Sequence, residues 1–374
     1  MKLVILKDNL KMGINAVERT AGHSLSLPIL NNVLLSTEKN FLNLTTTNLE
    51  IAISWWSLSK TEREGKTVIP ARFFSNLINL FPKQSITLET KGSFFLLSCE
   101  NQEAQLKCFN PEDFPLLPQI KNGDFVQVNN APFLEGLAQV ADIASPSSSR
   151  PEISGVFLVF KKDLVTMVAT DSFRLAEKKL FFEKEIEKEY SLIIPQKTVR
   201  ELINILSEKK GKLSIYFSPN QIMFEFPMAE VSHPQVQIIS RLIEGEYPNY
   251  QEIIPKKYET QITLSKEDFL NQLKAAGLFC GKVNEVKFKI EPKKEGMEIF
   301  SQNPELGQSQ SFIPGKTKGE RIEISFNWRF LAEGLASIKS SEVILELNGE
   351  EGPALLKPAA DLNYLYVAMP IKSP

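Results

Sequence analysis

A strand–proline–helix pattern that recurs along the chain constrains the fold more than any other sequence feature. Residues 190–206, YSLIIPQKTVRELINIL, predict a short buried strand, then Pro195, then an amphipathic helix. Proline suits this corner because it lacks the N–H that a continuing strand ladder or a helix interior requires. Residues 66–80 repeat the pattern, with the two prolines 125 positions apart (195 − 70), and residues 321–335 are a weaker third copy without the proline.

A second helical pattern precedes each copy of the first. Leu10, Ile14 and Val17 have the spacing of one buried helix face, and the same spacing begins again at Phe133 and at Phe269. A short alternating strand comes before each of these helices, so the chain consists of three units of about 120 residues, each with two similar halves. This period is too long for a solenoid, whose repeats have about 20–50 residues. Six similar half-units favour a symmetric, curved molecule.

Length and composition agree with three domains. A chain of 374 residues with 43% hydrophobic and 24% charged residues is typical of a globular protein of two or three domains. Segments rich in proline and glycine near residues 115–123 and 245–256 mark two boundaries. We therefore predict an α+β fold of three repeated domains, residues 1–121, 122–251 and 252–374, each with two helices and antiparallel sheets.

The sequence also indicates where the protein works. No apolar run reaches the ~18 residues of a membrane span, and Met1 leads directly into a strand, so we expect a cytoplasmic protein without membrane contact. Cys99, Cys108 and Cys280 lack the spacing of a metal or redox site and are expected to be reduced thiols. The formal net charge of −2 argues against a simple basic nucleic-acid binder.

Motifs for catalysis are absent from the sequence. The GKT sequences at 65–67 and 315–317 lack the earlier glycine of a Walker A motif, and there is no G-x-S-x-G sequence. The two histidines, His23 and His233, have no metal-ligand spacing. We expect no catalytic residue, no metal and no cofactor, while an enzyme without a visible site stays a third interpretation.

Six sequence stretches in a fixed order span nearly the whole chain. They are LPILNNVLL at 27–35, TNLEI at 47–51, EDFPLLP at 112–118, VATDSFRLA at 168–176, SRLIEGEYPNYQEIIP at 240–255 and YVAMPIK at 366–372. Together they resemble the bacterial sliding clamp family, the β subunit of DNA polymerase III, and TDSFRLA and EGEYPNY are the most specific of them. The resemblance implies the DNA clamp fold, in which two chains close head to tail into a ring with twelve helices lining the hole.

The resemblance also implies a function without chemistry. A homodimeric ring would encircle double-stranded DNA independently of sequence and act as a processivity factor for the replicative DNA polymerase. Further partners implied by the family are the clamp loader and repair proteins, all bound through short linear motifs. The alternative interpretation is a non-enzymatic scaffold clamp that binds partners but does not encircle DNA.

Charge is unevenly divided between the predicted helices and the rest of the chain. The helices carry fourteen basic and nine acidic residues, a net charge of +5, which leaves −7 elsewhere. A basic lining inside an acidic shell would attract phosphates only in the hole, although solvated helix faces often carry Lys and Arg as well. The predicted helices are residues 7–20, 71–83, 131–144, 196–210, 266–282 and 327–339.

Candidate DNA-binding residues follow the repeated prolines. Arg72 and Lys197 stand at matching places, just after the two prolines, and contacts to phosphates without base edges would permit sliding. Lower in rank are Arg200, Lys11 and Lys274. The family often has basic residues where this chain has Ser24 and Ser147, so the sequence leaves open whether those two loops contact DNA.

Ring closure is expected at the edges of the first and third domains, since an exposed sheet edge invites pairing. By resemblance, Ala104 and Leu106 belong to the first-domain edge, and Leu278 and Phe279 to the facing surface of the third domain. Without the resemblance, ordinary core residues would be an equally good interpretation of these four.

Three stretches that are distant in sequence are implied to form one pocket for partner peptides. The candidate residues are Ile153, Thr170, Ser172, Phe173, Arg174, Leu175, Pro248, Glu252, Ile253, Val367, Ala368, Met369, Pro370 and Ile371. The aliphatic members, with the adaptable Met369, suit an apolar trough, the two prolines suit its walls, and Arg174 and Thr170 suit polar anchors. A local core with a frayed C-terminus is the other interpretation.

Two of these positions depart from the family pattern. Phe173 stands where the family often has His, and Glu252 stands where a basic residue is common. Because Glu252 would repel acidic flanks, we expect the pocket to prefer peptides with neutral or basic flanks.

Overall fold

A computed structural model of the chain describes residues 1–22, 26–118, 120, 124–145, 147, 149–182 and 185–372. Within these residues there are six α-helices and twenty-five strands. The helices are α1 (Lys7–Val17), α2 (Ala71–Leu80), α3 (Asn130–Ala141), α4 (Gln196–Leu206), α5 (Lys266–Gly277) and α6 (Trp328–Ser337).

The strands fall into three groups along the chain. The first group is β1 (Lys2–Leu6), β2 (Asn32–Glu38), β3 (Phe41–Thr47), β4 (Ile51–Leu58), β5 (Lys60–Arg63), β6 (Lys66–Pro70), β7 (Ser85–Lys91), β8 (Phe94–Cys99) and β9 (Gln102–Lys107). The second is β10 (Phe125–Asn129), β11 (Gly155–Lys161), β12 (Leu164–Thr170), β13 (Arg174–Phe181), β14 (Tyr190–Pro195), β15 (Lys212–Phe217), β16 (Gln221–Pro227) and β17 (Pro234–Arg241). The third is β18 (Thr260–Ser265), β19 (Glu285–Glu291), β20 (Gly296–Asn303), β21 (Gly307–Gly319), β22 (Ile322–Asn327), β23 (Glu342–Leu347), β24 (Ala354–Pro358) and β25 (Tyr364–Ala368).

These strands form antiparallel sheets in two compact units. Residues 1–131 and 204–242 make the first unit, which holds a five-stranded sheet, β5-β1-β7-β8-β9, and an eight-stranded sheet, β10-β15-β16-β17-β4-β3-β2-β6. Residues 132–203 and 243–374 make the second, with the twelve-stranded sheet β14-β11-β12-β13-β25-β24-β23-β18-β21-β20-β19-β22. The three predicted domain ranges are not tested by this division and stay a prediction.

Two kinds of four-stranded layer each occur three times in the strand order. The first kind runs β1-β7-β8-β9, β10-β15-β16-β17 and β18-β23-β24-β25. The second kind runs β6-β2-β3-β4, β14-β11-β12-β13 and β22-β19-β20-β21. Three strand pairs connect these layers within the units, all of them antiparallel: β4 with β17, β13 with β25, and β18 with the second half of β21. The repeat that the sequence predicted is therefore a repeat of strand order as well.

Helix faces confirm the predicted spacing. Leu10, Ile14 and Val17 of α1 have no exposed surface, and neither do Phe133 of α3 and Phe269 of α5. Each face is buried because aliphatic and aromatic side chains at i, i+4 and i+7 lie on one side of a helix, where their burial is favourable by about 25 cal/mol per Å².

The first residue of each such helix holds the end of its neighbour, at equivalent places in the three repeats. A helix leaves its last four carbonyls without partners, and a long or amide side chain supplies the donor here. The bonds run from Lys7 Nζ to Asn79 O (3.2 Å), from Asn130 Nδ2 to Leu206 O (2.8 Å) and from Lys266 Nζ to Ile338 O (2.9 Å). These bonds were not predicted, because Lys and Asn at the three places share no sequence pattern.

Helix ends differ from the prediction. All six helices begin within one residue of the predicted start, but they end two to five residues earlier. In α2 the reason is Pro82, which restricts Phe81 to extended backbone (φ −68°, ψ 150°) and stops the helix at Leu80. The net charge of the helices consequently falls to +2, from eight basic and six acidic residues, so the contrast in charge between the helices and the rest of the chain is weaker than predicted.

Candidate functional site

A rigid turn between β12 and β13 presents the first stretch of the candidate pocket. The Asp171 carboxylate accepts hydrogen bonds from the N–H groups of Phe173 and Arg174, both at 3.0 Å. The Thr170 hydroxyl donates to the Arg174 carbonyl (2.7 Å) and accepts from the N–H of Ser172 (3.2 Å). Ser172 has a φ of +78°. Asp and Thr favour such turns because their short polar side chains bond the nearby backbone.

The second stretch lies beside this turn because β25 pairs with β13. Arg174 faces Ala368 and Leu175 faces Val367 across the two strands. Beyond the strand, the N–H of Met369 donates to the carbonyl of Phe173 at 2.8 Å. The structure thus brings together two segments that are nearly 200 residues apart in sequence.

The third stretch is attached through Tyr250. Its ring shares a buried cluster with Leu175 and Val367, and its hydroxyl donates to the Glu177 carboxylate at 2.8 Å. Burial first, and then the Glu177 charge, raise the pKa of Tyr250, so the hydroxyl keeps the proton that it donates. Neither Tyr250 nor Glu177 was among the predicted site residues, although the YPNY sequence was the available signal for the tyrosine.

Burial divides the candidate pocket residues into a base and a surface. Ile153, Leu175, Val367 and Ala368 are buried, so they form the base beneath the surface and not the open trough that we expected. For Leu175 and Val367 the physical reason is side-chain packing, since both belong to a buried cluster with Val168, Tyr250 and Leu355. The apolar candidates with accessible side chains are Phe173 and Ile253, which are 61% and 45% exposed, and the half-buried Pro248, Met369, Pro370 and Ile371. The polar candidates Ser172 and Glu252 are exposed as well.

The expected polar anchors are already engaged within the chain. Arg174 is only 10% exposed, and its guanidinium bonds Asp171 (2.9 Å), pairs with Glu333 and lies 4.7 Å from the centre of the Phe330 ring. Phe173 stacks on the same ring at 6.3 Å. A mostly buried cation requires such partners, since leaving it unpaired would be costly. Arg174 and Thr170 therefore shape the site through bonds within the chain, and their role as polar anchors for a peptide stays a prediction.

Glu252 places a negative charge at the edge of this surface. Its side chain is exposed and accepts a hydrogen bond from the Asn249 amide at 2.7 Å. It forms no ion pair with any other described residue. The carboxylate is thus accessible to solvent, and its effect on a peptide ligand stays a prediction.

The candidate DNA-binding residues are mostly accessible. Arg72, Lys197 and Lys274 are exposed and Lys11 is half-buried, and none of the four has an ion-pair partner among the residues that the structure describes. Arg200 differs, because its guanidinium pairs with Asp142 at 2.9 Å. A paired cation offers less charge to a phosphate, and the DNA-binding role of Arg200 stays a prediction.

The sequence leaves open whether the loops of Ser24 and Ser147 contact DNA. The first of these loops, with His23 and Ser24, lies outside the described residues. In the other, the Ser147 hydroxyl accepts from the N–H of Arg150 at 3.1 Å. The Arg150 guanidinium donates to the Ser172 hydroxyl at 2.9 Å and pairs with Glu152, so it is drawn toward the turn.

The expected interface residues lie at an unpaired strand and at a helix end. β9, which carries Ala104 and Leu106, is the last strand of its sheet. Leu106 is 7% exposed and Ala104 is half-buried. Just after α5, Leu278 is 74% exposed and Phe279 is half-buried. The exposed Leu278 is not an ordinary core residue, whereas Leu106 is compatible with a core role.

Residues of the types that bind metals do not cluster in the described part of the chain. The described residues contain no group of three or more His, Cys, Asp or Glu that could hold a metal ion. Burial raises the pKa of the Cys108 and Cys280 thiols, which makes them poor nucleophiles. In the described part of the chain, no helix has the length and apolar character needed to cross a membrane.

Comparison with known proteins covers nearly the whole chain. Residues 1–118, 127–249 and 251–372 match the N-terminal, central and C-terminal domains of the DNA polymerase III beta subunit. The Beta sliding clamps of Staphylococcus epidermidis and Staphylococcus aureus are each 28% identical to it, with full coverage of both proteins. The DNA polymerase sliding clamp of Bacillus subtilis superposes with a TM-score of 0.94 at 25% identity, and a Pseudomonas aeruginosa clamp bound to griselimycin with 0.93 at 21%, again over both full chains.

Two kinds of four-stranded layer, each present three times, define a clamp-type protein. The chain belongs to the DNA polymerase III beta subunit family. It is a DNA sliding clamp, a non-catalytic processivity factor, and its relatives do not favour the alternative of a scaffold that does not encircle DNA.

Proposed function

We propose that two copies of the chain form a ring by completing a third joint. Each internal joint pairs the last strand of one layer with the last strand of the other, as β4 does with β17 and β13 with β25. The equivalent third pair is β9 and the first half of β21. Among the described strands, β9 bonds only β8, and residues 307–314 of β21 bond only β20. A head-to-tail partner supplies the missing strand to both edges, and this observation carries the proposal.

Leu278 and Phe279 are proposed to pack beside this third joint against the partner's β9 with its Ala104 and Leu106. Sedimentation equilibrium at micromolar concentration is expected to give twice the chain mass. Phe279→Asp shifts the protein toward monomer, because closure would bury an unpaired charge. The control is Leu362→Asp, which adds the same charge at an 87% exposed site. Gly349→Ala is unsuitable as a control, because Gly349 has a φ of +72°. If the wild-type protein is monomeric at every concentration, the ring is rejected. If the Phe279→Asp protein stays dimeric, only the assigned contact is rejected.

Duplex DNA is the proposed occupant of the ring, held by phosphate contacts without base reading. Arg72, Lys197, Lys274 and Lys11 support this, because their side chains reach solvent without an ion pair in the described chain. Arg72 also borders a groove of about 400 Å³ with Arg19 and Asn76. Binding of this kind is electrostatic and independent of sequence, so it weakens with salt.

Retention on circular DNA tests the encirclement. The protein, loaded on a nicked circle, stays bound through gel filtration and is released when the circle is cut. Arg72→Glu with Lys197→Glu reduces retention across a salt series, whereas Lys212→Glu, which removes a cation from a strand, has a smaller effect. Loss of the wild-type protein from uncut circles at the same rate as from linear DNA would contradict encirclement.

The surface around Phe173, Ile253, Met369 and Pro370 is proposed to bind short linear motifs with apolar anchors. It is apolar, it is accessible, and its base is held rigid by strand pairing and by the Tyr250–Glu177 bond. A rigid apolar site with few polar groups suits a peptide that becomes ordered on binding. The proposed suppliers of such motifs are the replicative polymerase, the clamp loader and repair proteins. We also propose a cytoplasmic location, because bacterial chromosomes are replicated there.

A further inference from the structure

We propose that the joint between β4 and β17 carries a second peptide site, which binds apolar peptides bearing one carboxylate. The inference extends the proposed partner binding to another place and rests on it for the kind of ligand. A groove of about 440 Å³ lies at this joint, within the size range of ligand sites. Its walls come from the turn after β3, from residues 115–118 and from the end of β17.

The turn at this groove repeats the turn of the first site atom for atom. The Asn48 amide oxygen accepts from the N–H groups of Glu50 (3.0 Å) and Ile51 (2.9 Å), as Asp171 does at its own turn. The Thr47 hydroxyl donates to the Ile51 carbonyl at 2.9 Å and accepts from the N–H of Leu49 at 3.0 Å. The same turn conformation therefore occurs at both joints.

The strand joint is repeated as well. The N–H of Arg241 donates to the Glu50 carbonyl at 2.9 Å, which matches the bond from Met369 to Phe173 at 2.8 Å. A proline follows an aromatic residue in both third walls, Pro115 after the buried Phe114 here and Pro248 after the half-buried Tyr247 there. Position by position, Arg241 thus replaces Met369, and Glu50 replaces Phe173.

Two large apolar side chains of the groove face solvent. Leu116 is 99% exposed and Leu49 is 47% exposed. Leu49 also holds a φ of +75°, which is unfavourable for a residue with a branched side chain and persists only where the surrounding bonds fix it. A ligand with apolar side chains would cover both residues and remove this apolar surface from water.

Charge selects the kind of peptide. Arg241 is exposed at the groove and forms no ion pair with any described residue, so its guanidinium is free to bind a carboxylate in a charge-assisted hydrogen bond. Glu50 lines the same groove and disfavours a second negative charge. The two joints therefore differ in preference: an acidic apolar peptide fits at β4–β17, and a neutral or basic one at β13–β25.

Labelled peptides test the inference on the full chain. The probes are fluorescein-labelled hexapeptides, Gly-X-Asp-X-X-Gly with an amidated end, in which X takes every combination of Leu, Phe and Met. The protein carries Phe173→Ser and Ile253→Ser, which weaken the site at β13–β25. We expect saturable anisotropy changes with at least one peptide, and a loss of affinity of about tenfold in Leu116→Ser, which removes the burial of one leucine.

Matched variants separate the causes. Arg241→Gln weakens the Asp peptide about fivefold and leaves its Asn version unchanged, because only the carboxylate uses the guanidinium. Leu362→Ser, an exposed leucine that does not line the groove, leaves binding unchanged. Absence of binding by every peptide, or equal affinity in Leu116→Ser, overturns the inference. If the wild-type chain then still binds partner peptides and loses them with Phe173→Ser and Ile253→Ser, the proposed function stands and only the second site fails.

Discussion

The joints at β4–β17 and β13–β25 share a backbone and differ in what they expose. Both begin with a Thr-Asx turn that makes the same four hydrogen bonds, and both end with a strand that bonds the turn. One turn then presents Leu49 and Glu50, and the other Ser172 and Phe173. The comparison shows that Thr and Asx determine the backbone conformation of the turn, while the two residues after Asx determine which ligand the joint would prefer.

The two joints also stabilise the equivalent buried position by different means. Ile51 is 5% exposed and packs as an ordinary apolar residue. Its counterpart Arg174 is held by Asp171, Glu333 and the Phe330 ring. A hydrophobic contact is insensitive to salt, whereas an ion-pair network responds to salt and to loss of any partner. The site at β13–β25 is therefore the one whose shape depends on electrostatics.

Removal of residues 369–374 is expected to have the largest effect. The deletion takes away the bonds from Met369 to Phe173 and from Ile371 to Ser325, together with the apolar Met369 and Pro370. Binding of labelled partner peptides at β13–β25 is lost below detection in fluorescence anisotropy, while the dimer persists in sedimentation. Lys372→Ala is the control and binds normally. Unchanged affinity after the deletion would reject this surface as the partner site.

Arg174→Met sharpens the contrast between the two buried positions. It leaves Asp171 and Glu333 without their cation, so the local free energy of opening falls by about 2 kcal/mol, as measured by amide hydrogen exchange of β13. Ile51→Val costs about 1 kcal/mol in β4 by loss of a methylene group. Added salt alters the Arg174 penalty and not the Ile51 penalty. A salt-independent Arg174 effect would show that packing on Phe330 dominates.

Equal effects are expected where the joints are equivalent. Thr47→Val and Thr170→Val each remove one buried hydroxyl that both donates and accepts, and each destabilises its turn by about 1–2 kcal/mol. Exchange rates of the Leu49 and Ser172 amides report the loss locally. Thr166→Val, in the middle of β12, serves as the comparison. A large change at one turn and none at the other would break the equivalence.

Glu252→Arg is expected to have the smallest effect. The side chain is exposed, so reversal of its charge improves the binding of acidic-flanked peptides at β13–β25 by roughly two- to fivefold, which corresponds to a surface ion pair. The gain disappears at high salt. Glu350→Arg, with the same change in net charge at another exposed site, has no effect. Equal affinities in the Glu252→Arg and wild-type proteins would remove Glu252 from the account of specificity.

Local patterns made the helices and the repeat predictable. The buried faces of α1, α3 and α5 follow from spacing within eight residues, and Pro70 and Pro195 mark real strand-to-helix corners. Helix ends were overestimated because apolar spacing continues into the following turns, where Pro82 or a changed backbone stops the helix. The net positive charge of the helices was overestimated for the same reason.

The site was predictable only in its sequence positions. Family resemblance indicated the three stretches, but the engagement of Arg174 by Glu333 joins residues 159 positions apart, and no local pattern reports it. Burial of Leu175 and Val367 likewise depends on a strand pair that forms late in the sequence. The groove at β4–β17 was not predicted, because TNLEI and EDFPLLP are distant in sequence and only the fold brings them to one joint.

The pairing of β13 with β25 has a consequence for the nascent chain. β25 begins 190 residues after β13 begins (364 − 174), so at about 5–20 residues per second the edge of β13 waits some 10–40 s on the ribosome for its partner. β13, with the sequence RLAEKKLF, bears charges that discourage aggregation of an open edge. β4, IAISWWSL, waits nearly as long for β17 and carries no charge at all. Of these two edges, β4 is therefore the one more exposed to aggregation during synthesis.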